Sequence, residues 1–354
     1  MVKLGRSLAI ITIITLAWGL IFLASSSVVD ASRDFGDKWH FIKLQASWSI
    51  FGLLSMSFFS FFSHRRLTKF SALCLISTLI MLVLVLVPGI GLRLQGARRW
   101  IGVGIFTIQP AEFSKLLVGI YLSHLLLKPL STTPFILITG MVTGLIIMQP
   151  DMGTGLVILI MALGLYFTSQ KDAIKTLWIV PLFMILAIIS IIVSPYRRER
   201  VRTFLGLVND PQGSSYQVRQ GAIALGAGGI FGRGLGNSRQ KYNFLPESST
   251  DSILAIIGEE SGLIGTTITV GLLGIICGLG FQIAKLATEP FSRNLAVAIT
   301  CLIAAQSLLN FGAITGLTPL SGVPLPFISY GGSSLFVFLT GIGILVNISH
   351  SATT

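Results

Sequence analysis

The chain has 354 residues, of which 53% are apolar and 11% charged, with a mean hydropathy of +0.84. Soluble domains carry about 25% charged residues, so this composition excludes a soluble globular protein, a disordered chain and a coiled coil. Long apolar runs rather than alternation exclude an outer-membrane barrel. The 25 Lys and Arg against 13 Asp and Glu leave a net charge of +12, an imbalance that needs a cause in so uncharged a chain.

Ten apolar runs approach the length of a spanning helix, about 20 residues. They lie at 8–28, 44–63, 70–88, 113–128, 134–149, 153–169, 176–194, 256–282, 293–315 and 333–349. The pattern predicts an all-α polytopic membrane protein, with about ten transmembrane helices in a single domain over 1–354. The first run follows Lys3 and Arg6 without a clean small-residue cleavage site, so it reads as a retained helix rather than a signal peptide. Cys74, Cys277 and Cys301 sit inside apolar runs and offer neither a disulfide framework nor metal spacing. One connection is long: residues 195–250, between the seventh and eighth helices. Connections beyond about 12–15 residues are usually functional or disordered. This one holds Phe204, Tyr216, Phe231, Tyr242 and Phe244, and seven glycines between Gly221 and Gly236. Short helices at the membrane surface and close backbone packing are expected there.

With ten helices both termini share a side. Ten basic residues fall on that side, six in the opposite short loops and eight in 195–250. Over short loops the positive-inside rule places the termini in the cytoplasm, and adding the long loop reverses the vote. Either the long-loop arginines form a binding surface for an anion or the protein is inverted.

Ionisable groups against spanning helices are functional hypotheses by default. Glu112 and Lys115 are three apart and share a helical face, as a structural ion pair or a functional one. Asp151 sits at a helix break, where it serves as an N-cap and can also face a cavity. Glu247 and Asp251 close the long loop, and Glu259 and Glu260 follow on the next helix. Asp251 reads as a first-turn carboxylate that offsets the helix dipole. It also reads as a base that deprotonates a hydroxyl beside a phosphorylated substrate, because the preceding loop is rich in arginine. Arg98 and Arg99, and the cluster containing Arg197 and Arg202, are either membrane-edge charge or ligands of a diphosphate. The stretch Pro319–Ser334, with Ser329, Tyr330 and Ser333, breaks an apolar region and reads as the lining of a cleft. Gln306 and Asn310 aim polar groups the same way from the helix before it. No Walker A sequence, dinucleotide fingerprint or histidine metal spacing occurs.

Gly96-Ala97-Arg98-Arg99-Trp100-Ile101, Gln109-Pro110-Ala111-Glu112-Phe113-Ser114-Lys115 and Gln149-Pro150-Asp151-Met152-Gly153-Thr154 resemble, in order, signatures of the SEDS family (FtsW, RodA and SpoVE). So do Phe244 through Asp251, Gly258-Glu259-Glu260, and the long motif Pro324 through Ser334. The resemblance covers nearly the whole chain. It implies a ten-helix peptidoglycan glycosyltransferase of the bacterial cytoplasmic membrane, with cytoplasmic termini and an extracytoplasmic long loop and active site. The implied substrate is lipid II, polymerised for cell division or elongation. The implied partners are a class B penicillin-binding protein and other divisome or elongasome membrane proteins, with no nucleic acid. Asp251 matches the family's catalytic Asp. Arg98, Glu112, Lys115, Asp151 and Ser333 fall on other positions of its motifs. No resident cofactor is implied, though a divalent cation (Mg or Mn) is compatible with the diphosphate. The family commonly has a His before the Thr-Asp pair and an aromatic after it, where this chain has Ser249 and Ser252. Gly232 to Lys241 looks more like the division branch (FtsW, SpoVE) than RodA. A lipid II flippase, with Glu112, Lys115 and Asp151 as a polar path, is the competing reading.

Overall fold

The computed structural model describes residues 1–94, 97–104, 106–128, 132–169, 195–205, 214–242 and 244–351, with a few isolated positions between 180 and 192. Nine of the ten expected helices lie in these residues. They are α1 (Val2–Ser26), α3 (His40–Phe61), α4 (Arg65–Leu84), α5 (Pro110–Leu125), α6 (Thr132–Met148), α7 (Met152–Ser169), α10 (Ile253–Leu286), α11 (Pro290–Ile314) and α12 (Gly332–Ser351). The expected helix 176–194 lies outside the described residues. Among the described residues, seven helices are long and apolar enough to cross a membrane, and α6 is a shorter apolar helix. The protein is a helical polytopic membrane protein.

The long connection carries the short helices α8 (Pro195–Phe204) and α9 (Ser214–Gly228). Two features have no counterpart in the sequence reading. A short helix α2 (Val28–Phe35) follows α1, and the strands β1 (Gly91–Leu94), β2 (Ala97–Val103) and β3 (Phe106–Ile108) form an antiparallel sheet in the order β1-β2-β3. That sheet qualifies the all-α expectation. Its strands are three to seven residues long, too short to show a period against the apolar background.

Helices α11 and α12 form the centre: 78% and 89% of their most apolar windows are buried, against 17% and 22% for the peripheral α3 and α4. With no hydrophobic drive between helices in lipid, polar contacts and close packing hold the bundle. Three such contacts run down the α3–α12 seam. Gln45 Nε2 donates to Ser329 O, Ser55 Oγ meets Thr340 Oγ1, and Asn347 Nδ2 donates to Ser60 O. Helices α5 and α11 each begin with a proline, at the one helical position where the missing N–H costs nothing.

The two ends of the bundle differ in character. At one end His64 lies between Asn347 Oδ1 and Ser292 Oγ, each at 2.7 Å, and Arg65 pairs with Glu289 at 2.8 Å. The N-terminus packs there too, since a Cβ on Gly5 would meet Ser349 Oγ. The other end gathers α2, the sheet, the 149–151 turn, the long connection and the 316–331 segment. The termini therefore sit at the end of the bundle opposite the long loop.

Candidate active site

Asp251 stands in a turn immediately before α10. The turn is built locally. Glu247 adopts a left-handed conformation (φ 52°), which brings its carbonyl onto the N–H groups of Thr250 and Ser252 at 3.2 and 3.0 Å. Ser252 Oγ donates to Pro246 O and accepts from Gln217 Nε2 of α9. The serine found where the family commonly has an aromatic thus joins the turn to α9. Beneath it Leu245, Leu254, Ala255 and Ile256 pack with Ala224 of α9 and Ile314 of α11 in a small core of their own.

The turn is also held from the 319–334 side. Ser329 Oγ donates to Thr250 O at 2.6 Å, and Tyr330 N–H donates to Ser249 O at 2.9 Å. Asn310 Nδ2 donates to Asp251 O and to Val323 O, both at 2.9 Å. The 319–334 segment and the Asp251 turn are therefore one hydrogen-bonded unit. Asn310 is a residue that sequence reading noticed for its direction without assigning it to the site.

Asp251 Oδ2 and Arg200 Nη1 both approach Gly322. A Cβ at Gly322 would lie 3.6 Å from Asp251 Oδ2 and 3.7 Å from Arg200 Nη1, so the two charges converge on this glycine, whose left-handed φ of 69° itself favours glycine. Arg200 is fixed from α8 by a 2.9 Å bond from Nη1 to Leu320 O. Burial, then the neighbouring Glu247, push the Asp251 carboxyl up to about 7, with Asp151 adding to the rise and Arg200 and Arg99 opposing it. A carboxyl near neutrality is poised for general acid–base work.

Arg99 and Asp151 approach from the sheet side. The β1–β2 register slips between Leu92 and Arg93, so Arg98 pairs with Arg93 and Arg99 is the extra residue of a bulge, a device that re-aims a side chain. Arg99 Nε donates to Gln149 O at 3.0 Å, and its Nη2 donates to Pro150 O. Asp151 caps α7 by accepting Thr154 N–H at 3.0 Å, while its other oxygen accepts Gln109 Nε2 at 3.1 Å. Asp151 thus caps a helix, as expected, and lies within electrostatic reach of Asp251. Ser333 Oγ accepts Gln109 N–H at 3.0 Å, which links α12 to the start of α5.

Glu112 and Lys115 are deeper. Lys115 Nζ lies 2.6 Å from Glu112 Oε2 with both side chains buried, and it donates to Gln306 Oε1 at 2.5 Å. Gln306 Nε2 in turn donates to Pro324 O at 2.7 Å. The pair thus supports the cleft segment from below and does not touch Asp251.

The basic residues separate by face. On α8 Arg200 turns inward and Arg202 is exposed. Of this cluster it is Arg200 that lies by Asp251, because helical geometry lets one residue in three or four face a given side. The Arg197 side chain lies outside the described residues. The Arg98 side chain makes no hydrogen bond or ion pair among the described residues. Two loop cations are already neutralised: Arg233 by Glu259 at 3.1 Å and Lys241 by Glu260 at 3.2 Å. The anion surface is therefore smaller than the loop's charge suggests. Among the described residues no group of three or more His, Cys, Asp or Glu is arranged to hold a metal ion.

Comparison with known proteins agrees with this fold. A chain in the solved structure of a peptidoglycan synthase complex, described as coordinating polymerization and crosslinking, superposes with a TM-score of 0.80 at 26% identity, over 98% of both chains. Stage V sporulation protein E of Bacillus subtilis (strain 168) is 39% identical over 352 residues, covering 97% of this chain and 96% of that protein. The probable peptidoglycan glycosyltransferase FtsW of Trichlorobacter lovleyi is 36% identical over 341 residues, covering 94% and 90%. The profile of the FtsW, RodA and SpoVE family, described as cell cycle protein, matches residues 6–354. The chain belongs to the FtsW/RodA/SpoVE family.

Proposed function

We propose that this chain, a peptidoglycan glycosyltransferase like its named relatives, polymerises lipid II with Asp251 as general base. The observation that carries the reading is the convergence of Asp251 Oδ2 and Arg200 Nη1 on Gly322, in a turn hydrogen-bonded to the 319–334 segment, with burial pushing the carboxyl up to about 7. The carboxylate takes the proton of the acceptor sugar's 4-hydroxyl, whose oxygen attacks the anomeric carbon of the growing chain. The bond to the polyprenyl diphosphate breaks with inversion, and the diphosphate leaves with its electron pair. A general base supplies about 10²–10⁴-fold. Positioning and charge stabilisation of the leaving diphosphate supply the remainder, a task suited to Arg200, with Arg99 and Arg98 on the sheet side.

The membrane is the bacterial cytoplasmic membrane, with termini inside and the Asp251 end outside, where the long-loop arginines escape the topology rule because they serve a ligand. The partner is a class B penicillin-binding protein, in keeping with the crosslinking activity named for the complex of the similar solved chain. Enclosure of Glu112 and Lys115 by Gln306 supports a polymerase over a flippase, since a transport path needs polar groups open to a cavity.

The test is a liposome assay with labelled lipid II and the cognate penicillin-binding protein, scoring both polymer length and leaflet exchange. Asp251→Asn is expected to fold and bind lipid II yet make no polymer. Wild-type-length polymer from that variant, or leaflet exchange without polymer from the unmodified protein, would refute the reading.

A further inference from the structure

Helix α10 is broken where it need not be. Gly262 has φ 67° and ψ −159°, outside any helical region. In an unbroken helix the N–H groups of Leu263 and Ile264 would bond the carbonyls of Glu259 and Glu260. Instead Leu263 N–H donates to Gly229 O at 2.9 Å and Ile264 N–H to Ile230 O at 3.3 Å, while Glu259 O and Glu260 O accept the N–H groups of Arg233 and Gly234, each at 3.0 Å. Residues 229–234 of the long connection are spliced into the helix and satisfy these four groups, as a buried break demands. The fit needs glycine, since a Cβ on Gly232 would reach Glu260 O and one on Gly262 would reach Ile230 O.

The splice is locked by one buried carboxylate. Glu259, 1% exposed, accepts four hydrogen bonds. Arg233 Nη1 and Arg239 N–H bond Oε1, both at 3.1 Å, and Ser238 Oγ and Gln240 N–H bond Oε2 at 2.5 and 3.2 Å. Both oxygens are saturated by donors, so an amide fails at this position: its NH₂ would face two of them. The clasp joins residues 238–240 to 259, closing a ring of chain that contains the Asp251 turn. The break leaves 253–261 as a separate half-helix with Asp251 just before it. Its position therefore depends on what grips its far end.

We propose that Glu259 is a positioning residue for Asp251, clasping the spliced loop so that the half-helix holds the carboxyl beside Arg200 at Gly322. The role rests on the glycosyl transfer described above and adds to it a determinant remote from the substrate. Misplacement by about 1 Å in a catalytic group costs on the order of 10²-fold.

The experiment uses the full chain with its cognate penicillin-binding protein and compares Glu259→Gln, Glu259→Asp, Ser238→Ala and Asp251→Asn. Polymerisation kinetics are read across pH, and deuterium uptake is read by peptide. Glu259→Gln is expected to lower kcat by at least about tenfold with KM for lipid II changed less than about threefold. It is also expected to move the acid limb of the pH profile and to raise uptake at 229–241. Glu259→Asp keeps both acceptor oxygens and recovers part of kcat. Ser238→Ala removes one of the four bonds and gives the same pattern at smaller amplitude, which keeps the test open if Glu259→Gln does not fold. Unchanged uptake in Glu259→Gln, or in Ser238→Ala where Glu259→Gln does not fold, overturns the clasp. Raised uptake with kcat and the acid limb unchanged overturns positioning and leaves a folding role. Normal polymer from Asp251→Asn removes the base assignment instead, and the uptake data still judge the clasp.

Discussion

Replacing Lys115 with methionine isolates the energetics of the buried support beneath the cleft. The change keeps the side chain's length and most of its volume and removes the ammonium. Glu112 Oε2 then faces no cation; it makes no hydrogen bond of its own and depends on Lys115 Nζ at 2.6 Å. Breaking a buried pair from one side costs about 3–5 kcal/mol, which lowers the folding equilibrium on the order of 10²–10⁴-fold. Removing both charges with Glu112→Gln and Lys115→Met is expected to cost about 1–2 kcal/mol, chiefly the donor lost to Gln306 Oε1. The coupling between the two sites is then about 2 kcal/mol or more. Equilibrium unfolding in mixed detergent micelles measures all four corners of the cycle. A single Lys115→Met costing under about 1 kcal/mol, or a double variant equal to the sum of its singles, would refute the claim that the pair neutralises itself in a closed site.

Two further outcomes concern the Asp251 turn. With the carboxyl at about 7 rather than the ordinary 3.8, a base that works deprotonated loses rate as pH falls through neutrality, about tenfold per unit. Arg200→Met removes a charge that holds the value down and moves that limb to higher pH, whereas Glu247→Gln moves it to lower pH; a pH–rate profile flat from 5 to 8 contradicts the assignment. Asn310→Leu strips the donor shared by Asp251 O and Val323 O, at a cost of about 2 kcal/mol in stability. It should reduce kcat more than KM in the polymerisation assay, and equal loss in both would place Asn310 in substrate binding instead.

Helix identity was legible from residue order because lipid imposes one length and one composition on any spanning segment. Nine runs became helices at nearly their predicted places. Motif spacing likewise brought Asp251, Asp151, Arg99 and Ser333 to one end of the bundle. What one-dimensional reading could not supply was direction. Arg200 rather than Arg202 faces Asp251 because of the rotation of α8. Arg99 is re-aimed by a bulge that depends on pairing with β1. Two of the loop's cations, Arg233 and Lys241, are absorbed by Glu259 and Glu260, so a net charge of +12 overstates the surface left for an anion. The sharpest case is Gly262. A glycine inside a long apolar run reads as an uninterrupted helix, since a break at that depth is affordable only if another segment supplies the missing hydrogen bonds. Residues 229–234 supply them from about thirty positions earlier in the chain. Non-local pairing of this kind leaves no local period, so it becomes visible only when the two segments meet.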